Sequence, residues 1–585
     1  MREIYTRHHT PSLGGIILFF LLLFRGGIGF SQYQHEAQFV SAQQETITVV
    51  DLELQEPLVA VIIHNQDFTF STQTDLLGKA SIESMSDSDT LIFRLVAYET
   101  KKMSLGDIKA SASRVMLQPV NPTLGEVVVM GANKQPESSR SVPSIVDVLD
   151  QEAIARINPQ TSADLLKATG NVFVQKSQMG GGSPIIRGFE ANKVLIVVDG
   201  VRMNNAIYRS GHLQNVISID NAGLDRVEVI YGPSSTIYGS DALGGVMHFY
   251  TLPVKYEHEL GKEQEIGVFA RYSSANQEKT VHLDHRFAGK KWGAVASITF
   301  SDFGDLRAGN NRKAQYPDFG LRNFYVQEID GRDSIVANHN PNVQVGTAYR
   351  QIDFLYKMKY SPTKDLSLEG NLQYSSTSNV PRYDQLMQFT PSTADPSIPE
   401  SFEFSQWDYG PQARFMGSAK LTYDRSNPIF SQMSVIAAIQ NIDEDRITRR
   451  FEDSQRRIQE EDVTVLSLNA DFIKNLNKDF KLLYGLEYNY NYVNSDAIRV
   501  NVNTNEIDER VQTRYPDGGS RMVSQAAYIT LQTQIGKEDR VTLNSGLRYS
   551  AITLKSSFVD TSFFSFPDFD IQLDTRALTG SLGLA

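Results

Sequence analysis

Lys481-Leu482-Leu483-Tyr484-Gly485-Leu486-Glu487-Tyr488-Asn489-Tyr490-Asn491-Tyr492 alternates two chemistries along one extended segment. Leu482, Tyr484, Leu486, Tyr488, Tyr490 and Tyr492 share one face. Lys481, Gly485, Glu487, Asn489 and Asn491 share the other, with Leu483 the one exception. Successive strand side chains point to opposite faces, so one face suits lipid and the other a wet lumen. The division recurs with Ile352, Phe354, Tyr356, Met358 and Tyr360 against Gln351, Asp353, Lys357 and Lys359. It returns with Leu366, Leu368, Leu372 and Tyr374 against Ser367, Glu369, Asn371 and Gln373. A soluble sandwich also alternates, and the connections separate the two cases. Short turns are expected at Ser361 to Asp365, Ser426 to Pro428, Lys474 to Asp479 and Gly536 to Asp539, and long polar loops at 304–346, 378–411, 443–460 and 496–519. Strict alternation of short and long connections is the rule of a transmembrane antiparallel β-barrel. About twelve strands are expected between residue 264 and Ala585, whereas a plugged barrel has about 22. Residues 264–585 therefore read as the N-terminal part of such a barrel.

The composition agrees with a mainly β fold. Of 585 residues, 31 are Phe and 25 Tyr against 2 Trp, a strand-friendly bias. The net charge of -12, with no basic run, excludes nucleic acid as a partner. The absence of Cys excludes disulfides, thiolate metal sites and a Cys nucleophile. Residues 1–31 carry Arg2 and Arg7, the apolar run Ile16 to Phe24 and small residues from Gly26 to Ser31, the layout of a secretory signal peptide. That run is far short of the roughly 20 apolar residues of a spanning helix. Gln32 after it, in place of Cys, gives no sign of a lipid anchor.

Between 45 and 120, short apolar bursts at Ile47 to Val50, Val59 to His64, Phe68 to Phe70 and Leu91 to Val96 predict a small β-sandwich. The linker 121–135 holds Leu124-Gly125-Glu126-Val127-Val128-Val129-Met130. This β-prone segment is either the last strand of the sandwich or a strand donated to a partner's sheet edge. Residues 136–255 turn to mixed α/β, with Asp150 placed to cap a helix from Gln151 to Ile157 and a buried strand at Val194 to Val198. The Gly-rich stretch Tyr231 to Gly245 fits neither nucleotide loop nor hydrolase elbow. No catalytic constellation appears, so the chain is not read as an enzyme.

Three blocks then carry a resemblance. They are Ile186-Arg187-Gly188-Phe189, Val198-Asp199-Gly200-Val201-Arg202-Met203-Asn204, and Val227-Glu228-Val229-Ile230-Tyr231-Gly232-Pro233-Ser234-Ser235-Thr236-Ile237-Tyr238-Gly239-Ser240-Asp241-Ala242-Leu243-Gly244-Gly245-Val246. Together they resemble the plug domain of TonB-dependent outer-membrane receptors. Thr74 to Lys79, Leu91 to Phe93 and Ala97 to Glu99 resemble the carboxypeptidase-regulatory-like domain at the front of many Bacteroidetes receptors of this family. The resemblance implies that Glu126 to Met130 is the TonB box, met by a TonB-type inner-membrane energy-coupling protein. It also implies a location in outer-membrane lipid. Buried among apolar residues, Arg187, Asp199, Arg202 and Glu228 should be paired. In the family such plug arginines meet barrel carboxylates. The alternative, that they staple the plug to itself, stays open for each.

For the ligand, Ala206 to Val216 resembles the corresponding string of haem and haemoglobin receptors, as does Ser301 to Arg307. Imidazole is a natural axial ligand of haem iron, which makes Tyr208 and His212 the ligand candidates. His339 joins them as the imidazole of a long outer loop. Haem would be cargo rather than resident cofactor, and no directly bound metal is expected. Receptors for a ferric siderophore or cobalamin share these motifs, and a passive porin or adhesin is the alternative class.

Overall fold

The computed structural model describes residues 45–585 except 53–55, 66, 68, 83–85, 96–97, 99, 119–127, 130–133, 135–136, 139–143, 209–215, 233, 537–540 and 564–569. The signal segment, Glu126, Val127, Met130 and His212 lie outside the described residues. Among the described residues no helix is long and apolar enough to cross a membrane. The chain divides into two units, 1–125 and 126–585.

In the first unit, Glu45–Asp51 pairs with Lys79–Ile82 and Arg114–Leu117, and a second sheet runs Ser71–Gln73, Ile62–Asn65, Thr90–Arg94, Lys101–Ser104. Ile47, Val49, Ile63, Leu91 and Phe93 point inward from both sheets and form one core with Ile108. Arg114–Leu117 is its last strand among the described residues. Of the 124–130 segment only Val128–Val129 is described, and it pairs with Glu137–Ser138, in the second unit.

The plug is a five-stranded sheet ordered Ile145–Asp150, Leu224–Tyr231, Gly245–Thr251, Val194–Val198, Val201–Arg202. Asp150 caps Gln151–Ile157 by accepting from the Ala153 amide at 2.8 Å, as its sequence position predicts. Thr161 caps Ser162–Lys167, which buries Leu165 and Leu166 against Ile196, Val198 and Phe249. All five residues of Val194–Val198 are buried, because helices and strands cover both faces. Two of the plug glycines are set by space. A Cβ on Gly245 would lie 2.5 Å from the Ile230 carbonyl oxygen, and one on Gly200 would lie 2.7 Å from Ile436 of the barrel wall.

Twelve antiparallel strands follow, each paired with the next: β1 (Gln264–Ser273), β2 (Glu278–Ala288), β3 (Trp292–Phe303), β4 (Tyr349–Tyr360), β5 (Leu366–Thr377), β6 (Phe404–Tyr423), β7 (Gln432–Arg450), β8 (Gln455–Asn475), β9 (Phe480–Asn501), β10 (Ser520–Ile535), β11 (Val541–Ser557) and β12 (Asp570–Leu584). In β9 the faces divide as read: Leu486 and Tyr488 are exposed, while Glu487, Asn489 and Asn491 face inward and are buried. Leu483 is buried on that inner face.

The loop reading needs correction. Residues 443–460 are not a loop: β7 runs to Arg450, β8 starts at Gln455, and Asp443 pairs with Asp462 in an unbroken ladder. Likewise 496–501 belongs to β9. The outer connections 274–277 and 451–454 are short, so short and long do not strictly alternate. Polar residues on strand ends that stand above the lipid have the composition of a loop, and only backbone pairing tells the two apart.

Candidate functional site

The plug meets the barrel wall through polar side chains on the inner faces of the strands. On one side Arg271 of β1 donates to the Pro159 carbonyl at 2.7 Å while its guanidinium pairs with buried Glu278 at 2.7 Å. Gln160 and Asn276 exchange amide hydrogen bonds at 3.1 Å. Gln351 of β4 donates to the Ile217 carbonyl at 2.6 Å.

On the other side the linker itself is fastened. Lys134, between the strands Val128–Val129 and Glu137–Ser138, places its ammonium 2.6 Å from Glu487 and 3.4 Å from Asp471, both on inner barrel faces. The rings of Tyr238 and Tyr528 stand at 5.4 and 5.1 Å from it. Burial pushes the ammonium pKa down, but the Asp471 and Glu487 charges outweigh burial and hold it above its ordinary value. Glu487 also takes Arg548 of β11 at 2.5 Å, and Arg548 donates to the Ile237 carbonyl at 3.1 Å. Linker, plug and three barrel strands thus share one buried charge cluster.

The motif charges separate into the two classes left open. Asp199 meets the barrel: Lys357 lies 2.9 Å away, and Asn371 and Gln373 donate to it at 2.9 and 3.0 Å. Arg202 staples the plug to itself through Asp241 at 2.9 Å, and it bonds the Tyr238 carbonyl. Glu228, fully buried, pairs with Arg226 of the plug at 2.9 Å. Arg187 corrects the expectation of a paired plug arginine. It is exposed at a left-handed turn before Gly188 and lies over the Tyr231 ring at 5.8 Å. An exposed guanidinium is solvated and needs no partner.

Beneath these groups lies a cavity of about 230 Å³, lined by Asp199, Arg226 and His248 from the plug and by Lys357, Lys420 and Asn469 from the barrel. His248 accepts the Gly200 amide at 3.1 Å and bonds Tyr250 at 2.8 Å. Burial drives the His248 pKa down to about 3, so the ring stays neutral in the folded plug. Because the unfolded ring charges below about pH 6.5, acid destabilises the plug progressively from there toward pH 3. The Gly200 amide should nevertheless stay protected from hydrogen exchange between about pH 7 and about pH 5. Loss of that protection near pH 6 would show that His248 charges in place.

At the outer face of the plug, Tyr208 packs on the plug core and lines a small pocket with Met203, Asn205 and Arg414. Tyr515 donates to the Ile207 carbonyl at 3.4 Å, and Arg514 beside it bridges buried Glu444 and Glu461. His339 is exposed in a turn of the 304–348 connection and is not among the residues lining that pocket. His282 and His285 face opposite sides of β2, as their spacing requires, and no metal-holding group of His, Asp and Glu occurs among the described residues. Lys134, Lys357 and Arg548 were not singled out by motif. Their only sequence signal is position, one lysine in a polar linker and two cations on inner strand faces.

Residues 138–246 match the TonB-dependent Receptor Plug Domain, and residues 419–567 match the Outer membrane protein beta-barrel family. The chain carries a TonB-dependent receptor plug within an outer-membrane β-barrel sheet. The chain is 37% identical over 261 residues to the vitamin B12 transporter BtuB of Vibrio vulnificus, a match covering 43% of this chain and 40% of that one. It is 28% identical over 219 residues to the hemin receptor of Yersinia pestis, covering 36% and 31%. The matched stretches thus span less than half of these relatives. The fold is that of the copper transporter OprC, with TM-score 0.57 and 13% identity over 75% of this chain and 60% of that one. It is also that of the Serratia marcescens hemophore receptor HasR, with TM-score 0.52 and 15% identity over 76% and 60%.

Proposed function

We propose that this receptor takes up a scarce large ligand across the outer membrane by energy-coupled transport, and that the ligand is haem or iron drawn from a haem protein. The observation that carries the transport reading is the Lys134 cluster: the segment that follows the Val128–Val129 strand is clamped by buried ion pairs to the barrel wall and lies against the Tyr238 ring of the plug, while Arg548, on the same Glu487, donates to the Ile237 carbonyl of the plug. An outer membrane holds no ATP, so work must enter mechanically. A TonB-type partner that adds Val128–Val129 to its own sheet and pulls would load this cluster directly. The hemin-receptor relative supports haem; the B12-transporter relative supports cobalamin as the second reading.

The test uses the full-length receptor in cells supplied in turn with haemin, cyanocobalamin and a ferric siderophore, with and without an uncoupler. Uptake of haemin that stops on uncoupling is the expected result. Uptake that survives uncoupling would favour a passive porin. If His212 is an axial ligand, His212→Ala changes the Soret spectrum of bound haemin; an unchanged spectrum and affinity would remove His212 from the site.

A further inference from the structure

Among the described residues several arginines with buried side chains are paired with carboxylates, and Arg414, which has none, donates to Gln440 Oε1 at 3.3 and 3.1 Å. Arg271 has Glu278, Arg449 has Asp333 at 2.6 Å, Arg514 has Glu444 and Glu461, and Arg548 has Glu487. Arg322, in the outer connection between β3 and β4, differs. It is only 4% exposed, yet its Nε and Nη1 are buried without a hydrogen-bond acceptor among the described residues. Its Nη2 reaches the Leu386 carbonyl at a long 3.4 Å, and its guanidinium lies 5.2 Å from the ring of Tyr383. Asp305, a carboxylate whose field reaches it, is already engaged: its Oδ1 accepts from the Thr347 and Ala348 amides at 2.9 and 3.1 Å. A buried guanidinium with unmet donors is costly, and the anion that satisfies it most fully is a carboxylate, whose two oxygens match the guanidinium fork.

The surroundings say where that anion comes from. Tyr383–Leu386 is a short helix in the connection between β5 and β6, which also carries Arg382, stacked on Trp407 at 4.7 Å. The Asp384 amide donates to the Ser177 carbonyl of the plug at 3.2 Å. Two outer loops therefore close over Arg322, and one of them is hydrogen-bonded to the plug.

Building on the uptake reading above, we propose that Arg322 is the anion anchor of the transported ligand, receiving a ligand carboxylate that enters by parting the 304–348 connection from the Tyr383–Leu386 helix. The contacts to be broken are a ring face and one long hydrogen bond. Occupancy would displace a helix tied to Ser177, so binding outside would be felt by the plug.

The test measures affinities of the full-length receptor for haemin and for haemin dimethyl ester, whose carboxylates are capped, and in parallel for ferric citrate and a neutral ferric hydroxamate. Wild type should prefer the carboxylate member of whichever pair it binds by about 30-fold or more, in line with a charged hydrogen-bonded pair. Arg322→Met should erase that preference while leaving the capped ligand's affinity unchanged, and Arg322→Lys should restore part of it. Unliganded Arg322→Met should resist proteolysis within residues 304–348 at least as well as wild type, since it removes an uncompensated charge. The proposal is overturned by equal affinities in wild type, by binding of cyanocobalamin alone, by preference retained in Arg322→Met, or by loss of capped-ligand binding and protease resistance together. The last would mean that Arg322 pairs with a carboxylate of the chain itself. Energy coupling is read separately by uncoupling, so uptake that stops on uncoupling without any carboxylate preference would sink the anchor and leave the transport reading standing.

Discussion

Val128→Pro in the full-length receptor should abolish uptake while surface ligand binding stays within a factor of about two. Val128 pairs with Ser138 in a two-residue ladder, and the strand's other edge pairs with nothing else among the described residues. Strand addition by a partner depends on backbone donors, and proline removes one and prevents the extended pairing around it. Binding is spared because the outer face of the plug, where Tyr208 lies, draws nothing from this strand. The measurement is accumulation of labelled ligand in energised cells beside binding at the surface of de-energised ones. Uptake at the wild-type rate would remove Glu126 to Met130 as the coupling segment.

Glu487→Ala should give the second large effect. The carboxylate holds both Lys134 and Arg548, so its removal leaves two buried cations with only Asp471 nearby. Breaking a buried ion pair by deleting one partner costs about 3–5 kcal/mol, more than enough to free the linker. Hydrogen exchange at the amides of the Val128–Val129 ladder with Glu137–Ser138 reports linker release. In wild type exchange should be slow, and with Glu487→Ala faster by a hundredfold or more. Glu487→Asp, which keeps the charge, should fall between the two. Equal rates in all three would show that the Lys134 cluster does not retain the linker.

The barrel was legible because its signal is local. The two faces of β9 could be assigned residue by residue, since a strand in lipid must alternate and each inner position repeats at a period of two. The plug blocks were legible through their resemblance, and the structure gives two of their glycines a physical reason: a Cβ on Gly200 or Gly245 would collide with Ile436 or with the Ile230 carbonyl. The ends of β7 and β8 were misread because Asp443 to Arg450 and Gln455 to Glu460 are polar, and composition does not record whether a polar segment is paired.

What the amino-acid sequence determined by itself was the strand alternation and the helix cap at Asp150, both of which depend on neighbours a few residues apart. Only the tertiary structure decided the charges. Nothing near Asp199 in sequence points to Lys357, and nothing near Lys134 points to Glu487, because those partners are 158 and 353 positions away. The same distance explains Arg187 and Arg322. In sequence each is a lone arginine beside a turn or loop. The fold alone exposes the first to solvent, where it needs no partner, and closes two loops over the second, where its unmet donors call for an anion.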